Sequence, residues 1–383
     1  MKSLEQAREC VARLRPGELQ GLRGRSLLLT SDWSQAQLEV LLDVAEAFQA
    51  LDQAGVKTPL FQDELAYALF FDASTRTKSS WAGAAARLGS SPVIVDGSST
   101  QVSHGETAEE TGAMLGMNAH ALGIRHDLIL GEGNAFMRDA KKGIDDYLAA
   151  TGDQRVVPIV NLQCDIDHPT QTLADLNWLR EAFPEGVAGK TIAVSWAYSP
   201  SYAKPLSVPQ GLISLLPRFG MHVRLAHPEG YDLIPEVLET AKRGSMASGG
   251  SFVTVGGMDE AFADADVVYP KSWGPYDLML ERVEANRAKD TAGMKEIEGR
   301  ALQRNLQHRD WICNEERMAA TKEGSALYMH CLPADIGSEV TAPVMDGARV
   351  DLAREANKKV YVIMAMLAVA KSDDLRGRLL QLI

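Results

Sequence analysis

Short apolar runs of strand length, alternating with helical patterns along most of the chain, constrain this sequence more than any other feature. They are "SPVIVDG" (91–97), "HALGIRH" (120–126), "VVPIVNL" (156–162), "KTIAVSW" (190–196), "MHVRLAH" (221–227), "SFVTVGG" (251–257), "DVVYPKSW" (266–273) and "ALYMHCLP" (326–333). Between them lie stretches with helical spacing, such as "TAEETGAMLGM", "TQTLADLNWLREAF" and "PQGLISLLPRFG". A strand that is apolar throughout must be covered on both faces, and strands alternating with helices build parallel sheets wrapped by helices. The fold class is therefore α/β. At 383 residues, two parallel-sheet domains suit the chain better than one large sheet. The expected division puts residues 1–165 in the first domain and 166–356 in the second, with a C-terminal helix over 357–383 packing back on the first. The charged segment 281–323 reads as a solvated helical excursion, and "AKRGSMASGGS" (241–251) as a flexible connection.

Charge and composition exclude several functions. A formal net charge of −12 argues against a nucleic-acid binder, because a phosphate backbone demands clustered Lys and Arg. It leaves room for a small anionic ligand, since a few arginines can dominate one cleft. No apolar run approaches the roughly 20 residues needed to span a bilayer, so no membrane association is expected. The first residues, "MKSLEQARECVARLRPGELQ", form a charged helical pattern without the apolar core of a signal peptide. Cys10, Cys164, Cys313 and Cys331 are scattered, as free thiols in a reducing cytoplasm would be. No HExxH or Asp/His cluster suggests a metal, and no GxGxxG follows a strand, so no cofactor is expected.

The chemistry sits in the turns that follow strands. In "LAYALFFDASTRTKSSWAGAAARLGSS" (65–91), Ser74, Thr75, Arg76 and Thr77 stand at the mouth of a helix. A helix N-terminus leaves N–H groups unpaired and carries partial positive charge, which attracts anions. The hydroxyls add donors, and the guanidinium can grip a phosphate bidentately. The plainer reading is an ordinary helix cap beside a solvated arginine. "GIRHD" places Arg125 at a strand end, and "CDIDHPTQTLAD" places His168 just before Pro169, with Gln171 one turn into a helix. "MHCLPADI" places Cys331 and Leu332 at the end of another strand. Each has a dull explanation: a surface charge, a satisfied turn histidine, a small core cysteine. Together they occupy the carboxyl ends of strands, where open α/β sheets bind ligands, and that favours a site.

"STRT", "GETAEETGAML…IRH", "HPTQTLADL" and "HCLP", in this order, resemble the aspartate/ornithine carbamoyltransferase family over roughly residues 20–370. The resemblance implies one domain for carbamoyl phosphate, one for the acceptor, and an active site between them at a trimer interface. Ser74, Thr75, Arg76 and Thr77 would hold the phosphate. Arg125, His168 and Gln171 would bind the carbamoyl group, and the Cys331–Leu332 turn would receive its amino end. The segment 98–106 would reach a neighbouring subunit and bring Gln101 in trans, which implies a homotrimer or a multiple of it. In such a site a nitrogen attacks the carbonyl directly while phosphate leaves. Arg76, Thr77, Arg125 and His168 would stabilise the developing oxyanion, and Cys331 is not needed as a nucleophile.

Two departures from the family pattern bear on the acceptor, and a third on carbamoyl phosphate. The ornithine enzymes carry an aspartate and a Ser-Met pair after the strand that here reads "ADVVY" (265–269), and this chain continues "PKSWGPYD". Lys271 and Trp273 are the expected acceptor contacts, for a carboxylate and an acyl or ureido group; Trp273 as a packing residue is the other reading. The proline-rich loop Ser199–Pro209 resembles the branch of the family with a trefoil knot in the second domain, which includes N-acetylornithine, N-succinylornithine and YgeW-type carbamoyltransferases. A ureido or N-acyl amino acid is then the expected acceptor, with N-acetyl- or N-succinylornithine as the alternative. The family's Asn-Arg pair before the last helix reads Asn357–Lys358 here, so Lys358 is the expected cation beside carbamoyl phosphate. A different class of protein, an inactive carbamoyl phosphate-binding assembly factor, is disfavoured by the intact set Arg76, Arg125, His168 and Gln171.

Overall fold

The computed structural model describes residues 2–383. β1 (Leu65–Phe70), β2 (Ser91–Asp96), β3 (Ala121–His126) and β4 (Ile159–Cys164) form a four-stranded parallel sheet in the order β2-β1-β3-β4. β5 (Thr191–Trp196), β6 (His222–Ala226), β7 (Ser251–Val255), β8 (Val267–Lys271) and β9 (Leu327–Tyr328) form a five-stranded parallel sheet in the order β7-β6-β5-β8-β9. Each sheet belongs to its own α/β layer structure, as the alternating pattern demands. β8, inside its sheet, and β4, an edge strand whose outer side bridges to Leu27 at Val160, are buried at every position, so neither shows the alternation of a strand with one face in water. The edge strands β2 and β7 keep exposed positions.

Two strands differ from their sequence-based ranges. The run 156–162 becomes a strand only at Ile159 and continues to Cys164, because Pro158 has no N–H to give to a ladder. The run 326–333 keeps two strand residues before turning away. The connection expected over 241–251 is a correction: the helix Pro235–Ser248 runs through most of it and stops where Gly249 takes φ 79°. Ala, Lys, Arg and Met are good helix formers, and only the glycines after them break the pattern. The segment 281–323 is helical, as expected, in the helices Tyr276–Arg287, Thr291–Asn305 and Glu315–Ala319.

The helix Ala342–Lys371 is buried without a gap from Lys358 to Ala370, so its last turns are packed on all sides. It lies against the helices Gln35–Gln53, Arg76–Arg87 and Pro169–Ala182. It thereby links the β9 region to helices that follow β1 and β4, and it brings its own side chains to the space between the sheets. Among the described residues, no helix is long and apolar enough to cross a membrane.

Candidate active site

A cavity of about 380 Å³ opens between the carboxyl ends of the two sheets. The turn after β1 forms one wall, with Ser74, Thr75, Arg76 and Thr77 all lining it. Ser74 Oγ accepts the Thr77 N–H at 3.2 Å, so one serine both caps the helix Arg76–Arg87 and keeps its own hydroxyl proton for a ligand. Arg76 is half-buried, and burial followed by the nearby Arg125 charge lowers its pKa from 12.5.

Arg125 enters from β3. A bulge between Ile124 and Arg125 shifts the β3–β4 register, so that Arg125 stands opposite Gln163, and such bulges re-aim side chains. Its Nε and Nη2 donate to Asp127 at 3.1 and 3.0 Å, and the Asp127 N–H donates to Asp72 Oδ2 at 2.8 Å. Burial pushes the Asp127 carboxyl up and Arg125 opposes it. The fork leaves the other edge of the guanidinium for a ligand.

His168 precedes the helix Pro169–Ala182 and is buried. Its Nε2 lies 3.5 Å from Lys359 Nζ, and its Nδ1 3.4 Å from Thr170 Oγ1. Burial and then the Lys359 charge hold its pKa well below 6.5, so the imidazole is neutral. Cys331 and Leu332 line the opposite wall, with Leu332 in the left-handed region at φ 52°.

Four expected residues do not line this cavity. Lys358 turns away and donates to Gln49 Oε1 at 2.6 Å while pairing with Glu181. Its neighbour Lys359 faces the cavity instead, 3.4 Å from Thr77 Oγ1. Consecutive helix residues point about 100° apart, so only one of the two lysines can face the space. Gln171 is buried behind His168, donating Nε2 to Asp175 Oδ1 at 2.6 Å. Gln101 sits on the exposed turn Gln101–His104, outside its own chain's cavity. Trp273 is 0% exposed, gives its indole N–H to the Tyr231 carbonyl at 2.8 Å and packs edge-on to His227. It is a core residue; the strand ends at Lys271, so alternation along β8 does not carry as far as Trp273. Trp273→Ala should therefore destabilise the fold by about 3–5 kcal/mol, read by denaturant unfolding; a stable variant with only a raised acceptor KM would contradict this.

The cavity also has walls that the expected set omitted. Gln163, Tyr202, Lys204 and Lys359 line it. Tyr202 and Lys204 lie in the proline-rich loop, which the sequence singled out as a segment without naming its side chains. Lys204 Nζ pairs with Asp335 and Glu339 at 2.9 Å each, and Glu339 also accepts the Ser272 N–H at 2.8 Å. Lys271 Nζ donates to the Ser272 carbonyl at 2.8 Å and has no ion pair among the described residues. Burial lowers its pKa. No Asp or Glu lines the cavity, whereas Arg76, Arg125, Lys204, Lys271 and Lys359 do. Among the described residues no group of three His, Cys, Asp or Glu side chains could hold a metal.

A cationic cleft between two parallel α/β domains, with a helix N-terminus at its edge, defines a class of protein that handles small anions. Residues 25–181 match the model of the aspartate/ornithine carbamoyltransferase carbamoyl-P binding domain, and residues 206–370 match that of the Asp/Orn binding domain. The chain belongs to this family and is a carbamoyltransferase. It is 51% identical over 359 residues to "Putative carbamoyltransferase YgeW" of Escherichia coli (strain K12), a match covering 91% of this chain and 90% of that one. The solved ornithine carbamoyltransferase from Pyrococcus furiosus is 25% identical with a TM-score of 0.73, over 91% of this chain and 98% of that chain. An acetylornithine transcarbamylase complexed with acetylcitrulline is 25% identical with a TM-score of 0.72, over 91% and 99%.

Proposed function

We propose that the protein moves the carbamoyl group from carbamoyl phosphate to the nitrogen of a small acidic acceptor, a ureido or N-acyl amino acid rather than ornithine. The observation that carries this is the charge of the cavity wall, which presents cations and no carboxylate. Free ornithine brings an α-ammonium that would stand there without a counter-ion, and an unpaired charge in a desolvated site is costly. An acylated or ureido nitrogen removes that charge and keeps the carboxylate, for which Lys271 is available because it makes no ion pair among the described residues.

The phosphate sits on the helix N-terminus at Ser74–Thr77 with Arg76, and Lys359 adds the charge expected of the family arginine. The carbamoyl oxygen faces Thr77, Arg125 and His168, whose hydrogen bonds strengthen as charge builds on it. Its amino group faces the Cys331–Leu332 turn, with Gln171 supporting from behind. The acceptor nitrogen attacks the carbonyl carbon, the bond to the phosphate oxygen breaks, and the nitrogen's proton leaves with the phosphate. Gln101 on its exposed turn is outside its own cavity, which supports its reaching a neighbour's site in a homotrimer. The loop Ser199–Pro209 is tied to later chain by Lys204 and by the Asn305 amide on the Ser199 carbonyl at 2.9 Å, and this supports the knotted reading.

The test is phosphate release from carbamoyl phosphate with ornithine, N-acetyl- and N-succinylornithine, diamines and ureido acids. Ureido or N-acyl acids should turn over well above ornithine. Preference for ornithine or a diamine would overturn the acceptor class, and no release with any of them would favour an inactive binding protein.

A further inference from the structure

Trp273, the side chain expected to meet an acyl or ureido group, belongs to the core, which leaves that part of the acceptor to another residue of the same wall. The loop Ser199–Pro209 starts beside Lys271. Trp196 pairs with Lys271 in the sheet, and the Ala197 N–H donates to the Lys271 carbonyl at 3.1 Å. Further along, the loop returns to the same strand end, where the Lys204 carbonyl accepts the Gly274 N–H at 2.9 Å. Between these points the chain is tied down on both sides of Tyr202. Asp335 Oδ2 receives the Ser201 hydroxyl at 3.1 Å and the Ser199 hydroxyl as well. The Ala203 N–H donates to Glu298 Oε1 at 2.8 Å, and Lys204 makes its two ion pairs with Asp335 and Glu339. None of these bonds uses Tyr202 itself. Its side chain lines the cavity, and the residue is 41% exposed.

A ring left this exposed gains only part of what burial supplies, so packing does not account for a loop anchored on both sides of it. An aromatic side chain fixed by its neighbours contacts a ligand at little cost in conformational entropy. Tyr202, Pro205 and Val208 make this loop's share of the lining mainly apolar, whereas Lys271 brings an unpaired charge to the adjacent strand end. We propose that Tyr202 is a specificity-determining residue, its ring lying against the planar acyl or ureido group while Lys271 takes the carboxylate. The inference rests on the carbamoyl-transfer reading of the cavity and on Lys271 as the cation that holds the acceptor. An amide or ureide offers a flat, uncharged face to the ring, and its N–H groups and oxygen stay free at the edge. An ammonium would be drawn to the ring too, but the charges of Arg76, Arg125 and Lys271 around the same cavity repel it.

Steady-state kinetics on Tyr202→Ala and Tyr202→Phe tests this, with carbamoyl phosphate affinity by calorimetry and denaturant unfolding measured alongside. The acceptors are N-acetylornithine, N-succinylornithine, a ureido acid, a diamine and ornithine. For whichever N-acyl or ureido acceptor the wild type prefers, Tyr202→Ala should raise KM about tenfold. Its kcat, its carbamoyl phosphate affinity and its unfolding midpoint should hardly move. Tyr202→Phe keeps the ring and should recover most of the loss. An unchanged KM in Tyr202→Ala, or a Phe variant as impaired as the Ala one, would overturn the inference. So would a larger loss for ornithine or the diamine than for the acylated acceptors, which marks a site for an ammonium. A loss of carbamoyl phosphate affinity in step with the acceptor's would place Tyr202 at the other subsite and overturn it too. A wild type that releases no phosphate with any acceptor overturns the functional reading beneath it as well.

Discussion

Arg76→Ala should lower carbamoyl phosphate-dependent turnover by on the order of 10²–10³-fold, the loss expected for one charged donor to a developing oxyanion. Stability should hardly change. Among the described residues the Arg76 guanidinium has no hydrogen-bond or ion-pair partner within the chain, and the residue is half-buried at the cavity mouth. Nothing in the fold depends on it, so its charge is available to the ligand. Steady-state kinetics with denaturant unfolding in parallel checks both halves, and an unchanged rate would remove Arg76 from the reaction. The variant also tests the shared site. If Gln101 acts in a neighbour's cavity, Arg76→Ala and Gln101→Ala subunits, each inactive alone, should recover part of the activity when mixed and reassembled. Recovery requires at least one interface with both residues intact, so its absence would confine the site to one chain.

Lys271→Met should raise the acceptor KM by ~10- to 100-fold, the loss of one charge-assisted contact of roughly 1.5–3 kcal/mol. Carbamoyl phosphate affinity should be nearly unchanged. The reason is a contrast between two lysines on the same wall. Lys204 is neutralised by Asp335 and Glu339, whereas Lys271 is held in place by one carbonyl and has no acid of its own. Methionine fills the stem's volume without the charge, so the fold should survive. A variant that weakened carbamoyl phosphate and spared the acceptor would exchange the two subsites.

Local chemistry made much of this protein legible from its residues alone. Strand runs without polar alternation call for cover on both faces, and β4 and β8 are buried at every position. The turn 74–77 needs only the residues on either side of it to become a helix N-terminus with exposed donors. Arg125, His168 and Cys331 stand at strand ends, and the parallel arrangement brings all such ends to one side. Tertiary packing decided the rest. Lys358 and Lys359 are equivalent as sequence, and the helices packed on Ala342–Lys371 determine which of them points into the cavity. Trp273 has a side chain fit for a pocket, but it lies beyond the last paired residue of β8, where the direction of a side chain follows the core rather than the pleat. Segment 241–248 contains residues that suit a helix or a loop, and packing against the second sheet made it a helix. The freedom of Lys271 depends on Asp335 and Glu339 being taken by Lys204, a pairing between segments over 130 residues apart. A sequence specifies which groups are present and how neighbours lean, but an ion pair or a helix face is settled by which distant surfaces exclude water together.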